Sequence, residues 1–495
     1  MAITEQRDLV LRSTQGRGVL AATILGSGMA QLDATVVNVA LPRIGTDLDA
    51  GLTALQWTLN AYTLTLAGLL LLGGSLGDRL GRRRVFVFGV LWFTVASAGC
   101  TIAPDPGVLI AMRALQGVGA ALLTPGSLAI LEAVFRREDR APAVGAWSGL
   151  GGVATAIGPV LGGVLVGLTD WGWRLVFLIN VPIAAAVVWL AERYVPESRD
   201  DQADGRLDVT GAVLAALGLA AVVYGLTEGP RLGWDAPLVG CLVLGVLILA
   251  AFVVVEARNR NPMMPLSLFR SRNFTGANIV TLVVYAALSG ALFLIPVQLQ
   301  RVSGFAPVAA GSALLPVTIV MLLLSARMGR VAERIGPRVP MTVGPIVAGV
   351  GLALLVRIGA DASYVTDVLP AVLVFALGLS ATVAPLTATV LAAAPTHQVG
   401  VASAVNNDVA RAAGLLAVAV MPALAGISQH AYDHPALLST GFHHAVLIAA
   451  GLCVFGGLLS AVLIERVARP EEEAVEEDPT AHCFHCPVNA PNVRS

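Results

Sequence analysis

Gly74-Ser-Leu-Gly-Asp78-Arg79-Leu-Gly81-Arg82-Arg83 recurs as Gly329-Arg-Val-Ala-Glu333-Arg334-Ile-Gly336-Pro337-Arg338, 255 residues further on (329 minus 74). Each copy ends one apolar stretch and opens the next. Each keeps a Gly four residues before an acid, an Arg directly after the acid and a Gly three residues after it, a spacing that suits a tight turn between two membrane helices. The chain is therefore built from two related halves. At roughly 20 residues per span plus a short loop, the offset holds about eight helices rather than six. Two extra helices should sit between the halves.

Composition agrees. Hydrophobic residues make up 56% and charged residues 13%, against about 25% charged in soluble domains. This is the composition of an integral membrane protein. Fourteen apolar stretches can be marked, at about 18–41, 54–77, 84–104, 107–131, 142–168, 173–194, 208–228, 236–257, 273–300, 306–328, 339–359, 366–394, 398–427 and 440–466. The first is too long for a signal-peptide core and is read as a retained helix. All 31 basic residues are Arg, a bias that points to a G+C-rich bacterial genome, and in a bacterium the membrane composition implies the plasma membrane. Five of them (Arg43, Arg174, Arg231, Arg301, Arg357) fall in alternate loops or helix ends and two (Arg113, Arg411) inside helices, which leaves 31 − 7 = 24 on the other side. The positive-inside rule makes that side cytoplasmic and places both termini there.

The paired signature and the two-helix insert resemble the major facilitator superfamily and, within it, the drug:proton antiporter branch with fourteen helices. The resemblance implies an all-α membrane protein of two six-helix bundles, at residues 1–195 and 273–469. Two inserted helices with a connecting cytoplasmic segment occupy 196–272, and an acidic, disordered cytoplasmic tail 470–495. It also implies a transporter driven by a proton gradient without a cofactor. Its partners would be protons, the lipid bilayer and small hydrophobic or amphipathic substrates, and it would bind no nucleic acid. Oligomeric state is not legible.

Charges at membrane depth cost about 2.5–3.5 kcal/mol each on insertion scales, so each needs a reason. Asp33 lies in Leu32-Asp33-Ala-Thr35-Val-Val-Asn38, which looks like the family's first-helix motif, where the acid is the protonation site. Burial disfavours a charged carboxylate, which is what a reversible proton carrier requires. Arg113 lies in Arg113-Ala-Leu-Gln116-Gly117, which resembles the fourth-helix motif whose Arg bears on proton transfer. Counted from the ends of their apolar stretches the two sit at about the same depth. A static ion pair locking the two helices is the plainer reading.

On the fifth helix, Gly145 and then Gly158-Pro159-Val-Leu-Gly162-Gly163 resemble the antiporter motif, with Ala154 where its first Gly is usual. Small residues admit close helix approach and Pro159 permits a bend. Trp171 and Trp173 open the sixth helix as interfacial anchors. Asp78 with Arg79 and Arg82 is expected to latch the cytoplasmic side when the cavity faces outward. Glu333, Arg334 and Gly336 form a weaker copy. Asn38, Tyr62, Gln116, Asn406, Asp408 and Arg411 complete a candidate substrate or second charge site. Asp408 and Arg411, three residues apart, are expected to pair along one helix face.

With Asp33 and Asp408 against Arg113 and Arg411, intramembrane charge sums to zero. That favours neutral or amphipathic substrates over strictly cationic ones. No nucleophile elbow, phosphate loop or metal-binding helix pair occurs, which argues against an enzyme or an ATP-driven pump. An importer of the same fold is disfavoured by the fifth-helix motif, and a sensor by the lack of a soluble domain. His482, Cys483, His485 and Cys486 in the tail are potential soft-metal ligands, but no separated second pair accompanies them, so no metal site is assigned.

Overall fold

The computed structural model describes residues 9–199, 208–259, 262–395 and 398–465. The tail ligands His482, Cys483, His485 and Cys486 lie outside these residues. Among the described residues, fourteen helices are long and apolar enough to cross a membrane. They are α1 (Thr14–Asp47), α2 (Leu52–Leu80), α3 (Arg82–Thr101), α4 (Pro106–Val134), α5 (Arg137–Leu168), α6 (Gly172–Tyr194) and α7 (Val209–Leu232). Then follow α8 (Ala236–Arg258), α9 (Arg272–Arg301), α10 (Pro307–Ile335), α11 (Arg338–Arg357), α12 (Tyr364–Ala392), α13 (Val399–Leu424) and α14 (Pro435–Leu463). The number matches the fourteen apolar stretches. Several helices run further than their stretches because polar turns continue past the apolar part. α1 ends at Asp47 rather than near residue 41.

Apolar runs decide where the spans lie, and short polar caps decide where they start. Ser13 Oγ accepts from Gly16 N at 2.9 Å, the Asp105 carboxylate from Val108 N at 3.0 Å and Asp208 from Gly211 N at 2.8 Å. Each satisfies an N–H that a helix start leaves without a partner. The two signature copies stop and restart the chain by the same device. Gly81 between α2 and α3 has φ 110°, and Gly336 between α10 and α11 has φ 84°. A side chain bearing Cβ avoids that backbone region, which explains the Gly three residues after each acid.

The helices α1–α6 form one bundle and α9–α14 another. The first is cored by Phe86, Phe93 and Phe135, all fully buried. At the face opposite the signature turns, a single apolar cluster runs from Val36, Leu41 and Leu55 of the first bundle into Phe293, Leu299 and Met421 of the second. The inserted hairpin α7–α8 lies outside both. Its α7 meets α2 where Trp57 Nε1 donates to Glu228 Oε1 at 2.9 Å. On its other flank Val223 joins Leu415 and Ala419 of α13. The outermost helix, α8, leaves Val243, Leu244, Val246 and Leu247 exposed, as a lipid-facing helix should.

Candidate functional site

Asp33 on α1 and Arg113 on α4 are both completely enclosed and form an ion pair through Arg113 Nη1 and Asp33 Oδ2. The depth match from the sequence used helix ends that fall elsewhere. Asp33 is fourteen residues from the end of α1 (47 minus 33), and Arg113 only seven into α4 (113 minus 106). The two counts differ by seven residues (14 minus 7), yet the side chains meet.

Further hydrogen bonds hold the pair. Gln116 Nε2 donates to Asp33 Oδ1 at 2.9 Å, and Asn180 Nδ2 to the same oxygen at 3.2 Å. Arg113 Nε donates to the carbonyl of Thr58 at 3.0 Å and Nη1 to Gln116 Oε1 at 2.6 Å. Ser97 Oγ accepts from both Gln116 and Asn180 and donates to the carbonyl of Phe177. The ring of Tyr62 lies 4.3 Å from the guanidinium carbon, a cation–π contact, while its hydroxyl donates to the carbonyl of Ala30. A buried pair is tolerated when its remaining hydrogen-bonding positions are met, and here α1, α2, α3, α4 and α6 all contribute.

Of this network the sequence marked Asp33, Arg113, Gln116 and Tyr62, and missed Ser97 and Asn180. A signal for Asn180 existed. It is an amide in the middle of an apolar run, where α6 is interrupted at Ile179.

A cavity of about 340 Å³ adjoins the pair, between the bundles. Arg113 and Tyr62 form part of its wall, with Asn38 of α1, Asn60 of α2, Tyr285 and Phe293 of α9, and Asn407 and Arg411 of α13. Among the described residues, the hydrogen bonds that join the bundles all lie on one side of it. Gln56 Nε2 donates to the carbonyl of Val418 at 2.6 Å, Gln300 Nε2 to that of Val39 at 2.9 Å, and Leu52 N to Gln429 Oε1 at 2.7 Å. All three join the bundles at the face opposite the signature turns. Toward the signature face, a side chain added at Gly145, Gly149 or Gly329 would meet nothing within 4 Å.

The fifth-helix motif belongs to that closure. Gly158 packs on Thr35 of α1, and a Cβ on Gly162 would lie 2.8 Å from Val36 Cγ2. A Cβ on Gly163 would lie 2.8 Å from Val308 Cα of α10, and the carbonyl of Pro159 abuts Gly311. One turn of small residues thus fits α5 to its own bundle on one side and to the other bundle on the next. Gly145 stands apart from these contacts.

In the first signature copy Asp78 pairs with Arg82 of its own turn at 2.8 Å. The segment after α6 caps the turn, Ser198 O accepting from Arg82 N at 2.8 Å and Glu197 Oε1 from Arg83 N at 3.1 Å. Gly74 touches Pro125 of α4, and Arg79 is half-buried beside the turn. Glu333 and Arg334 of the second copy are exposed, and Gly336 supplies its turn.

Two expectations are corrected. Asp408 and Arg411 do not pair: no ion pair joins them among the described residues, and Asp408 Oδ1 is buried without a hydrogen-bond partner. Their spacing permits contact on an isolated helix, but Arg411 turns into the cavity and Asp408 is not part of its wall. Asn406 is likewise engaged elsewhere, donating to Asn278 Oδ1 and Thr281 Oγ1 of α9. The Trp pair also splits. Trp171 is exposed, as an interfacial anchor should be, whereas Trp173 is buried and donates to Asp47 Oδ2 at 2.8 Å.

Two helical bundles around a central cavity, with a buried charge pair beside it, are the architecture of a membrane transporter. The chain belongs to the Major Facilitator Superfamily, whose profile matches residues 23–419. Among its relatives, a puromycin resistance protein of Streptomyces alboniger is 37% identical over 94% of this chain and 92% of its own length. A methylenomycin A resistance protein of Streptomyces coelicolor is 35% identical over 92% of this chain and 93% of its own. A tetracenomycin C resistance and export protein of Streptomyces glaucescens is 35% identical over 82% and 75%. Among solved structures, a bacterial homologue of the human lysosomal transporter Spinster, inward-facing and unoccupied, superposes with TM-score 0.66 at 18% identity. It covers 93% of this chain and 99% of that one.

Proposed function

We propose that the protein is a proton-coupled antiporter that exports hydrophobic or amphipathic small molecules across a bacterial plasma membrane by alternating access. The observation that carries this reading is the Asp33–Arg113 pair, enclosed in the first bundle and bordering the cavity through Arg113 and Tyr62. An acid held by a guanidinium keeps its charge until the pair is disturbed, and a substrate or a bundle movement against Arg113 would disturb it. Relatives named for resistance and export support the direction of transport.

We assign the signature face to the cytoplasm on the Arg distribution, which places both termini inside and makes this conformation open to the cytoplasm. The Asp78 turn would then act as a latch in the opposite conformation, when the halves close over it. The breaks near residues 195 and 272 are read as the limits of the two bundles, with α7 and α8 between them. No cofactor is needed, because one proton crossing ~100 mV provides about 2.3 kcal/mol, enough for a roughly fifty-fold gradient of neutral substrate.

The test is the purified protein in liposomes carrying an imposed pH gradient. Substrate should accumulate on the acidic side at the expense of the gradient. Accumulation on the alkaline side would indicate an importer, and none with or without the gradient would reject proton coupling.

A further inference from the structure

We propose that the cavity accepts substrates bearing an anionic group, a carboxylate or phenolate on an otherwise apolar frame, and that Arg411 pairs with it. The inference rests on the exporter reading and names its substrate class. The cavity wall carries two guanidinium groups, Arg113 and Arg411, and no carboxylate. The two are not equivalent. Arg113 is already committed to Asp33, Gln116 and the carbonyl of Thr58. No hydrogen bond or ion pair engages Arg411 among the described residues.

Asp408 does not supply the missing partner, being unpaired, outside the wall and with its Oδ1 buried. A guanidinium held at membrane depth and turned into a cavity marks a ligand path. A second group in the same wall also lacks an acceptor: Asn60 is buried, and its Nδ2 donor has no partner. Around these donors, Leu59, Leu292, Phe293 and Leu415 supply apolar surface. A planar fork of N–H donors set in an aliphatic and aromatic wall matches an oxyanion attached to a lipophilic body. A lipophilic cation would meet the unpaired Arg411 and no carboxylate in the wall.

The proposal changes the electrical character of the cycle. Exchange of one proton inward for one monovalent anion outward moves two charges in the same sense. A neutral substrate moves one, and a monovalent cation none.

Three fluorescent probes separate the possibilities on the purified full-length protein: anionic fluorescein, a cationic rhodamine ester with the same ring system, and uncharged phenylnaphthylamine. Wild type should bind fluorescein at least about tenfold more tightly than the rhodamine. Arg411→Gln should weaken fluorescein roughly ten- to hundred-fold, the range of a charge-assisted hydrogen bond, with phenylnaphthylamine changed less than about twofold. Arg411→Lys should restore most of the anion binding. Preference for the rhodamine, binding of neither xanthene while phenylnaphthylamine binds, or an Arg411→Gln effect equal on all probes would overturn the proposal. If none of the three probes is bound or moved under a pH gradient, the exporter reading fails instead.

Discussion

Gln116 donates to the Asp33 carboxylate at 2.9 Å and accepts from Arg113 at 2.6 Å, so one amide touches both members of the buried charge pair. The pair cannot separate without breaking one of the two bonds. Any event that draws Arg113 toward the cavity therefore also breaks a bond of Gln116, either the one to Arg113 or the one to Asp33.

Asp33→Asn should abolish accumulation against a gradient while substrate binding persists. It should also cost about 3–5 kcal/mol of stability, because Arg113 would be left buried without its counter-charge. Adding Arg113→Gln should recover much of that stability and none of the coupling. Thermal unfolding of the detergent-solubilised variants reads the first effect and liposome transport the second. Wild-type accumulation by the single variant would move the proton to another carboxyl, Asp408 first.

Gly163→Val should shift the protein away from the conformation described here. Its side chain would press into Val308 Cα and Pro307 of the opposite bundle, where there is no room. Overpacking of that kind costs about 1–3 kcal/mol, a roughly 5- to 150-fold change in a two-state population. A cysteine at Asn407 should become accessible to an impermeant thiol reagent from the face opposite the signature turns. Unchanged accessibility would show that this contact does not set the equilibrium.

Asp408→Leu should leave thermal stability unchanged or raise it, because the carboxylate has a buried oxygen with no partner, and such a group costs about 1–3 kcal/mol. Retained stability with lost transport would assign Asp408 to function. A large loss of stability would show that it has a structural partner after all.

Alkaline phosphatase fused after Pro104 or Tyr432 should be active, and fused after Arg84 silent. Arg84 lies at the signature face and the other two at the opposite one. The reverse pattern would invert the orientation read from the Arg distribution.

Much of this architecture was legible because it is written in one dimension. Helix number follows from apolar runs, the two-fold repeat from a turn that needs Gly81 and Gly336, and the Asp33–Arg113 pair from the cost of two charges in lipid. What failed was angular. Asn180 and Ser97 reach Asp33 only because α6 and α3 present those faces to α1, which spacing along the chain does not record. Asp408 and Arg411 illustrate the same limit, three residues apart on one helix yet facing different surroundings. Gly145 resembles part of a motif whose other members meet neighbours and stands itself in open space.

The inserted hairpin touches both halves through α7, but by different physical means. On α2 the hairpin is fixed by a directional bond from Trp57 to Glu228 and by Ala216 lying close over Gly68. On α13 it offers Val223 to Leu415 and Ala419, a greasy strip without a hydrogen bond to α13 among the described residues. A hydrogen bond holds one geometry, whereas aliphatic surfaces can slide past each other at little cost. When the halves rock, the hairpin should travel with the first and let α13 glide across it, so that it serves as a bearing rather than a brace.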